Sequence, residues 1–205
     1  MHCPSSYSHI FKYFNSLIHY ECFMTEYYFD IETYSPDMRP DPANDKIITI
    51  QYQQVSTETG EPIGDLKILT EWELGSEKEL LSKFKDIFLS GSDFNFISIG
   101  VNLYGFDFVA LASKFNKYFD LGLGLQFFRD RIAIDLKPIL IMMNNGRLKG
   151  YTDILGKKHS GNVIKEWYEQ KKHDEIIDYI KDEAGHFIEK YQILKKELPK
   201  IKFSE

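Results

Sequence analysis

The sequence predicts an α/β domain in which a mixed five-stranded sheet is flanked by helices. Segments with the short, β-branched and aromatic pattern of strands alternate along the chain with longer segments of helical periodicity. Their order begins with three strands and continues with alternating helices and strands, which requires both antiparallel and parallel pairing in one sheet. The chain has 205 residues, enough for one domain of this class, and no linker divides it in two.

Five segments have the pattern of strands. The first, 27–31, is aromatic and β-branched and precedes a loop with three prolines, as expected of a buried strand. The second, 47–55, alternates apolar and polar residues and is followed by a polar turn. Three shorter strands are predicted at 66–69, 96–101 and 132–134.

The first long helix is predicted at 76–90. Ser76 can cap its N-terminus, and Glu79 lies at the position that completes a capping box. The apolar residues of this segment recur at helical spacing, so one face should pack on the sheet. These residues are Leu80, Leu81, Phe84, Ile87 and Phe88.

Three more helices are predicted downstream. One, at 106–115, follows a turn, and a second, at 135–143, begins at Asp135, which can act as its N-cap. The last third of the chain, 163–194, has helical periodicity, with Gly185 as a candidate interruption.

Composition and charge exclude several classes of protein. Hydrophobic residues make up 43% and charged residues 27% of the chain, unlike a disordered or collagen-like sequence. Lys and Arg total 25 against 31 Asp and Glu, so the net charge of −6 excludes a strongly basic nucleic-acid sleeve but not a local basic patch. No apolar run approaches 18 residues, so no membrane span is expected.

The first 23 residues differ from the remainder. Cys3 and Cys22, the two cysteines of the chain, both lie there, which excludes a disulfide-stapled or cysteine–zinc domain. The segment has no apolar stretch of signal-peptide length, so a cytoplasmic location is expected. Met24 directly precedes the first strand. We therefore expect 1–23 to be a leader or appendage with translation starting at Met24, and 24–205 to be the domain; a short helix packed on the domain is the alternative.

The first strand carries two acids at alternate positions. Because alternate strand residues share a face, Asp30 and Glu32 should point together while Phe29 and Ile31 pack behind them. Two convergent carboxylates repel each other unless a divalent cation lies between them, and Mg²⁺ or Mn²⁺ prefers oxygen ligands. The alternative is a solvated strand edge.

The second candidate segment, 98–107, is an apolar strand that ends in a turn. Asn102 closes the strand, and Asp107 should lie in the first turn of the next helix. Both residues have ordinary explanations, since Asn can stabilise the turn and Asp can complement the helix dipole. The placement also brings a third carboxylate to the carboxyl end of a strand, where α/β sheets form their sites.

The third candidate segment, 173–183, lies in the predicted last helix. Tyr179 and Glu183 are four residues apart and so are neighbours on one face, as are Asp178 and Asp182. The isoleucines of the segment can face the core. A solvated acidic helix face is the alternative to a functional role.

In this order, the segments FDIET, IGVNLYGFD and IIDYIKDE resemble the three exonuclease motifs of the DEDD, DnaQ-like 3′–5′ exonucleases of the ribonuclease H-like superfamily. The resemblance extends from Met24 to about Lys196 and is closest to the proofreading domains of family-B DNA polymerases. It implies hydrolysis of terminal phosphodiester bonds to nucleoside 5′-monophosphates, with single-stranded DNA favoured. It also implies two Mg²⁺ or Mn²⁺ ions, and replication or repair proteins as partners.

The resemblance also assigns roles to residues of the first two motifs. It implies that Asp30, Glu32 and Asp107 are metal ligands, and that Asn102 and Phe106 complete the second motif.

The third motif departs from the family pattern, in which an Asp follows the Tyr by four residues. Tyr179, expected to orient the attacking water, is followed by Asp182 at three residues and by Glu183 at four. Residue type favours Asp182 as the fourth acid, and spacing favours Glu183. The histidine-type spacing also occurs, from His173 to Asp178.

Residues that could hold the substrate lie near these motifs. Thr33 and Tyr34 follow the first motif, and the rings of Tyr34 and Phe106 could stack on terminal bases. Lys157 and Lys158 are in the most basic stretch, with Arg147, Lys149 and Tyr151 upstream and His159 next to them, and could follow a single-strand backbone. A solvated loop, and core packing of Phe106, are the alternatives.

Two other functions are compatible with these motifs. One is a nuclease of the same superfamily that cuts internally, against which the Tyr179 spacing and the turn before Asp107 argue. The other is a nucleic-acid-binding module that has the fold without the activity, which the irregular third motif favours.

Overall fold

The structure, a computed structural model, describes residues 24–37, 40–89, 96–156 and 162–200. Its centre is a five-stranded sheet of order β3-β2-β1-β4-β5. β2 is antiparallel to β1 and β3, whereas β4 is parallel to β1 and to β5. The predicted mixed α/β sheet is confirmed. The strands are β1 (Glu26–Tyr34), β2 (Lys46–Val55), β3 (Pro62–Thr70), β4 (Ile97–Gly100) and β5 (Ala133–Asp135).

Helices cover the sheet and connect its strands, and none in the described part of the chain is long and apolar enough to cross a membrane. They are α1 (Glu71–Leu74), α2 (Glu77–Leu89), α3 (Phe108–Phe119), α4 (Leu125–Asp130), α5 (Lys137–Met143), α6 (Asn162–Glu169) and α7 (His173–Glu197). A π-helical turn, Leu103–Asp107, precedes α3, and short 3₁₀ segments span Tyr151–Leu155 and Leu198–Lys200.

The predicted helix boundaries need several corrections. The predicted helix at 106–115 begins as α3 only at Phe108, because a π-helical turn occupies the preceding five residues. The predicted helix at 163–194 is two helices, and the break falls at Lys171, whose φ of 57° is left-handed, and not at Gly185. The short α4 was not predicted, since six residues are too few to show helical periodicity. The interpretations of residues 1–23 fall outside the described residues.

β1 is the central strand, and its two faces pack on different layers. Phe29 and Ile31 point to the layer of α2 and α3, where the Phe29 ring stacks on Phe84 and Phe88 at centroid distances of 5.6 and 5.8 Å. Phe29 is fully buried. Burying such a ring contributes about 2–3 kcal/mol, so this aromatic cluster holds β1 in place from one side.

The other face of β1 packs on α7. Tyr28 lies against Phe187 at 5.0 Å between ring centroids. At the start of β1 the buried carboxylate of Glu26 accepts hydrogen bonds from the Tyr191 hydroxyl and the Lys195 ammonium group, each at 2.7 Å. These bonds fix the position of α7 along β1.

We predict that Tyr191→Phe destabilises the fold. The substitution removes one donor from a buried carboxylate, and the expected loss is about 1–2 kcal/mol of the free energy of unfolding. Urea titration followed by circular dichroism measures it. Tyr27→Phe is the matched control, because the Tyr27 hydroxyl has no hydrogen bond among the described residues, and its effect should stay below about 0.5 kcal/mol. Equal effects of the two substitutions would contradict the role given to the Glu26 contact.

Candidate active site

The carboxyl ends of the three parallel strands meet at one edge of the sheet, and acidic side chains collect there. Asp30 and Glu32 lie on the α7 face of β1, as their spacing predicts, and Glu183 reaches them from α7. One carboxylate oxygen from each residue lies within 4.8 Å of the other two. Three anionic groups this close repel one another, and a divalent cation relieves the repulsion. Because all donors are oxygens, the set suits Mg²⁺ or Mn²⁺.

Glu183 and Tyr179 are one helical turn apart on α7. The Tyr179 hydroxyl is hydrogen-bonded to the Glu183 carboxylate. Burial raises the pKa of Tyr179 far above its ordinary value, and the charges of Glu32 and Glu183 raise it further. The phenol therefore stays protonated at neutral pH and acts as a hydrogen-bond donor.

The structure places the other two third-motif candidates outside this cluster. Asp182 is rotated by about 100° from Glu183 around the helix axis. Its carboxylate lies 3.5 Å from Nδ1 of His186. Geometry thus selects Glu183, the residue favoured by spacing, over Asp182, the residue favoured by type. A glutamate side chain is long enough to reach β1 from this helix position.

The residues of the histidine-type spacing also lie elsewhere. His173 stacks on Trp72, with ring centroids 4.2 Å apart and planes 10° from parallel. The Asp178 side chain is 80% exposed and lies 3.7 Å from Lys181. Neither residue joins the group formed by Asp30, Glu32 and Glu183.

Asp107 lies deeper than the three clustered acids. It ends the π-helical turn, is 2% exposed, and accepts a backbone hydrogen bond from Ile31, the residue after Asp30. Burial, and then the charge of Asp30, raise its pKa well above the usual range. Its Oδ1 atom is buried without a hydrogen-bond partner among the described residues. Asp107 therefore adds a fourth carboxyl beside β1, although it is not one of the three mutually close groups.

The turn that delivers Asp107 is held by Asn102 of the second motif together with Asp135 and Lys137, which lie outside the motifs. Asn102 has a left-handed φ of 66°. Asp135, at the end of β5, accepts hydrogen bonds from the backbone N–H groups of Asn102 at 2.8 Å and Tyr104 at 3.3 Å. It also accepts one from the Lys137 N–H at 3.0 Å, at the first residue of α5. The predicted N-cap role of Asp135 and the predicted helix start at 135 are nevertheless wrong, because Asp135 ends β5 and the N-cap of α5 is Leu136. Lys137 in turn donates to the Asn102 side-chain oxygen at 2.6 Å.

Two glycines, Gly100 and Gly105, lie where neighbouring groups approach the backbone closely. A Cβ at Gly100 would lie 2.6 Å from the Phe29 carbonyl oxygen, and one at Gly105 would overlap the side-chain oxygen of Asn102. A side chain at Gly100 is therefore excluded by the approach of the β1 backbone, whereas one at Gly105 would require the Asn102 side chain to move.

The predicted substrate-holding residues fall into different surroundings. Thr33 follows a register shift in the β1–β2 pairing, directly after Glu32. The Tyr34 hydroxyl donates to Glu169 at 3.1 Å. Phe106 packs partly buried against the main core cluster. Lys157 and Lys158 lie outside the described residues.

Some residues around the cluster, namely Gln51, Tyr28 and His186, had no signal in the sequence. A cavity of about 190 Å³ lies beside Asp30 and Glu183. Buried Gln51, opposite Asp30 in the β1–β2 pairing, donates to its carboxylate at 3.1 Å. Only the strand pairing reveals this contact, because the two residues are far apart in sequence. The cavity is lined among others by Tyr28, Asn102, Tyr151 and His186.

The strand order and the helical layers define a ribonuclease H-like α/β fold, and solved structures share it. One structure of exonuclease I aligns with a TM-score of 0.56 and 15% identity, over 86% of this chain and 42% of that protein. E. coli exonuclease I in complex with a dT13 oligonucleotide aligns with a TM-score of 0.53 and 16% identity over the same shares. The chain thus spans less than half the length of these proteins. No protein-family model and no curated protein matches its sequence.

We predict that Asp30→Asn stabilises the metal-free protein. Removing one of several clustered negative charges relieves repulsion of about 1 kcal/mol, which raises Tm by about 2–4 °C. Thermal unfolding in the presence of a chelator measures the effect. Mn²⁺ should raise the Tm of the wild type and much less that of the variant.

Asp178→Asn is the control for this prediction, because its exposed carboxylate lies outside the cluster. It should leave both Tm and the response to Mn²⁺ unchanged. A lower Tm for Asp30→Asn without metal, or an equal Mn²⁺ response in all three proteins, would contradict a cation site here.

Proposed function

We propose that this protein is a metal-dependent 3′–5′ exonuclease that hydrolyses terminal phosphodiester bonds, with single-stranded DNA favoured, to nucleoside 5′-monophosphates. The observation that carries the proposal is the convergence of Asp30, Glu32 and Glu183 from β1 and α7. The resemblance of all three sequence motifs to DEDD exonucleases supports it. The fold shared with exonuclease I is compatible with it, although at 15% identity that likeness concerns the fold alone.

In this proposal Asp30, Glu32 and Glu183 hold divalent metal, and Asp107 contributes the fourth carboxyl. The donor set fits Mg²⁺ or Mn²⁺, because every group is a carboxyl oxygen. Among the described residues the Oδ1 atom of Asp107 is buried and has no hydrogen-bond partner, so it remains available as an acceptor. When bound, two such ions would supply Lewis-acid chemistry, making water nucleophilic at neutral pH and neutralising charge on the reacting phosphate.

The protein's own side chains have distinct tasks. Gln51 donates to Asp30 and so fixes the orientation of that carboxylate. Tyr179 donates to Glu183 and, because its pKa is raised, holds a proton that it can direct at a water or a phosphate oxygen. Tyr28 is likewise kept protonated, since burial and the charge of Asp30 raise its pKa. These two phenols place neutral donors beside an anionic cluster.

Digestion of 5′-labelled single-stranded DNA and RNA with Mn²⁺ tests the activity. The wild type should give a ladder that shortens from the 3′ end, and Asp30→Ala should lose about 10³-fold in rate, because the metal supplies several kcal/mol. Internal fragments would instead indicate an internally cutting nuclease. Absence of cleavage by folded protein, without any response to Mn²⁺, would indicate a binding module.

The pair Glu183→Gln and Asp182→Asn tests which residue is the fourth acid. We expect Glu183→Gln to lose activity as strongly as Asp30→Ala, since its carboxylate is in the cluster. Asp182→Asn should retain activity within about threefold, an effect below 1 kcal/mol. Rates under saturating Mn²⁺ measure both. The reverse ranking would assign the role to Asp182.

We predict that Tyr179→Phe lowers kcat by about 10²-fold, the lower end of the effect of a positioned proton donor. Because the raised pKa keeps the phenol protonated, the pH–rate profiles of the wild type and the variant should have the same shape from about pH 6 to about pH 10. Steady-state rates across this range measure both features. A wild-type ionisation near pH 10 that disappears in the variant would show that the phenol titrates normally.

A further inference from the structure

A second concavity, of about 430 Å³, opens between the start of β2, the turn from α1 to α2, and the last two turns of α3. Four lysines line it, Lys46, Lys78, Lys114 and Lys117, and we call it the lysine pocket. The chain as a whole carries a net charge of −6, so a concave surface with four ammonium groups is unusually rich in positive charge for this protein.

One of the two carboxylates in the lysine pocket is fully engaged by the protein. Glu77 is 6% exposed and accepts hydrogen bonds from the Ile47 N–H at 2.7 Å and the Tyr118 hydroxyl at 2.6 Å. It also lies 3.8 Å from the Lys114 ammonium group, which donates to the Asn44 carbonyl oxygen at 2.9 Å. Lys114 and Glu77 therefore balance each other inside the wall of the pocket.

The second carboxylate is engaged as well. Glu71 forms a 2.9 Å ion pair with Lys46 and accepts a hydrogen bond from the Tyr168 hydroxyl at 2.8 Å. Two acids, Asp41 and Asp45, act electrostatically on Lys114, but their carboxylates accept hydrogen bonds within their own loop.

The charge that remains for a ligand belongs to Lys78 and Lys117. Both side chains are exposed, and neither forms an ion pair with a described carboxylate. Lys117 interacts with Tyr118, its ammonium group lying 4.9 Å from the centre of that ring, so its partner is not an anion. A ligand with at least two negative charges fits this pair.

The lysine pocket is connected to the acidic cluster through the end of β1 and the start of β2. Tyr34 pairs with Lys46 in the β1–β2 ladder and lies two residues, about 7 Å, beyond Glu32. The rings of Tyr34 and Tyr168 are 5.1 Å apart, and Lys46 donates to the Tyr168 hydroxyl at 2.8 Å. The rings of Tyr34 and Tyr168 thus lie beside Lys46 at the end of β1, and aromatic rings next to positive charge are a combination that single-stranded nucleic acids bind.

We infer that the lysine pocket binds phosphates of the nucleic-acid strand where it extends away from the end held at the acidic cluster. The inference rests on the proposed function, which places the reacting phosphodiester at Asp30 and Glu183. Lys78 and Lys117 contact the phosphates, while Lys46 and Lys114 stay paired with Glu71 and Glu77 in the wall of the pocket. Phosphate binding of this kind releases counterions, so it depends steeply on salt.

The test compares Lys78→Gln/Lys117→Gln with the control Lys83→Gln/Lys196→Gln, whose exposed lysines lie outside the pocket. Fluorescence anisotropy with labelled single-stranded DNA of about 12 nucleotides, in chelator, gives Kd across a range of salt concentrations. The pocket variant should bind about tenfold more weakly at low salt. The slope of log Kd against log salt should decrease by about 1.4, the value for two lost phosphate contacts. The control should match the wild type.

A parallel measurement separates this inference from the proposed function. Hydrolysis of a dinucleotide with Mn²⁺ requires the acidic cluster only, so the pocket variant should retain the wild-type rate. An unchanged salt slope and affinity in the pocket variant would overturn the inference, and dinucleotide hydrolysis would still establish the activity. If the wild type hydrolyses nothing, the proposed function fails, and the anisotropy comparison still decides whether the pocket binds phosphates.

Discussion

The candidate site depends on the alignment of α7 along β1. Glu26 at the start of the strand binds Tyr191, and Asp30 lies near Glu183. Four strand residues span about 13 Å and eight helical residues about 12 Å, so the two contacts match when helix and strand run antiparallel. The clustered carboxylates alone would push α7 away from β1, because they repel each other. The contacts of Glu26 with Tyr191 and Lys195, and the apolar packing between the layers, hold the helix against the strand.

Much of this arrangement follows from local sequence. The period of two in β1 places Asp30 and Glu32 on one face, and the period of 3.6 in α7 pairs Tyr179 with Glu183. The choice between Asp182 and Glu183 could not be made this way, because it depends on how α7 is rotated against the sheet. The contacts of Asp135 and Gln51 were equally hidden, since they join strands that are distant in sequence.

The electrostatics of the site differ from those of an ordinary acidic surface. The three clustered carboxylates are partly exposed, whereas Asp107 and Tyr28 are buried around them. Burial favours the uncharged form of each buried group, and the neighbouring negative charges act in the same direction. Both effects therefore act against further negative charge on the buried groups that surround the cluster.

The π-helical turn before α3 makes the length of the second motif critical. Its N–H to carbonyl bond from Phe108 to Leu103 encloses one residue more than an α-helical turn would. Deleting that residue would restore α-helical winding and rotate Asp107 by about 100°, away from Ile31 and β1. Natural variation in this segment should therefore proceed by substitution, while insertions and deletions should be confined to the loops at a distance from it.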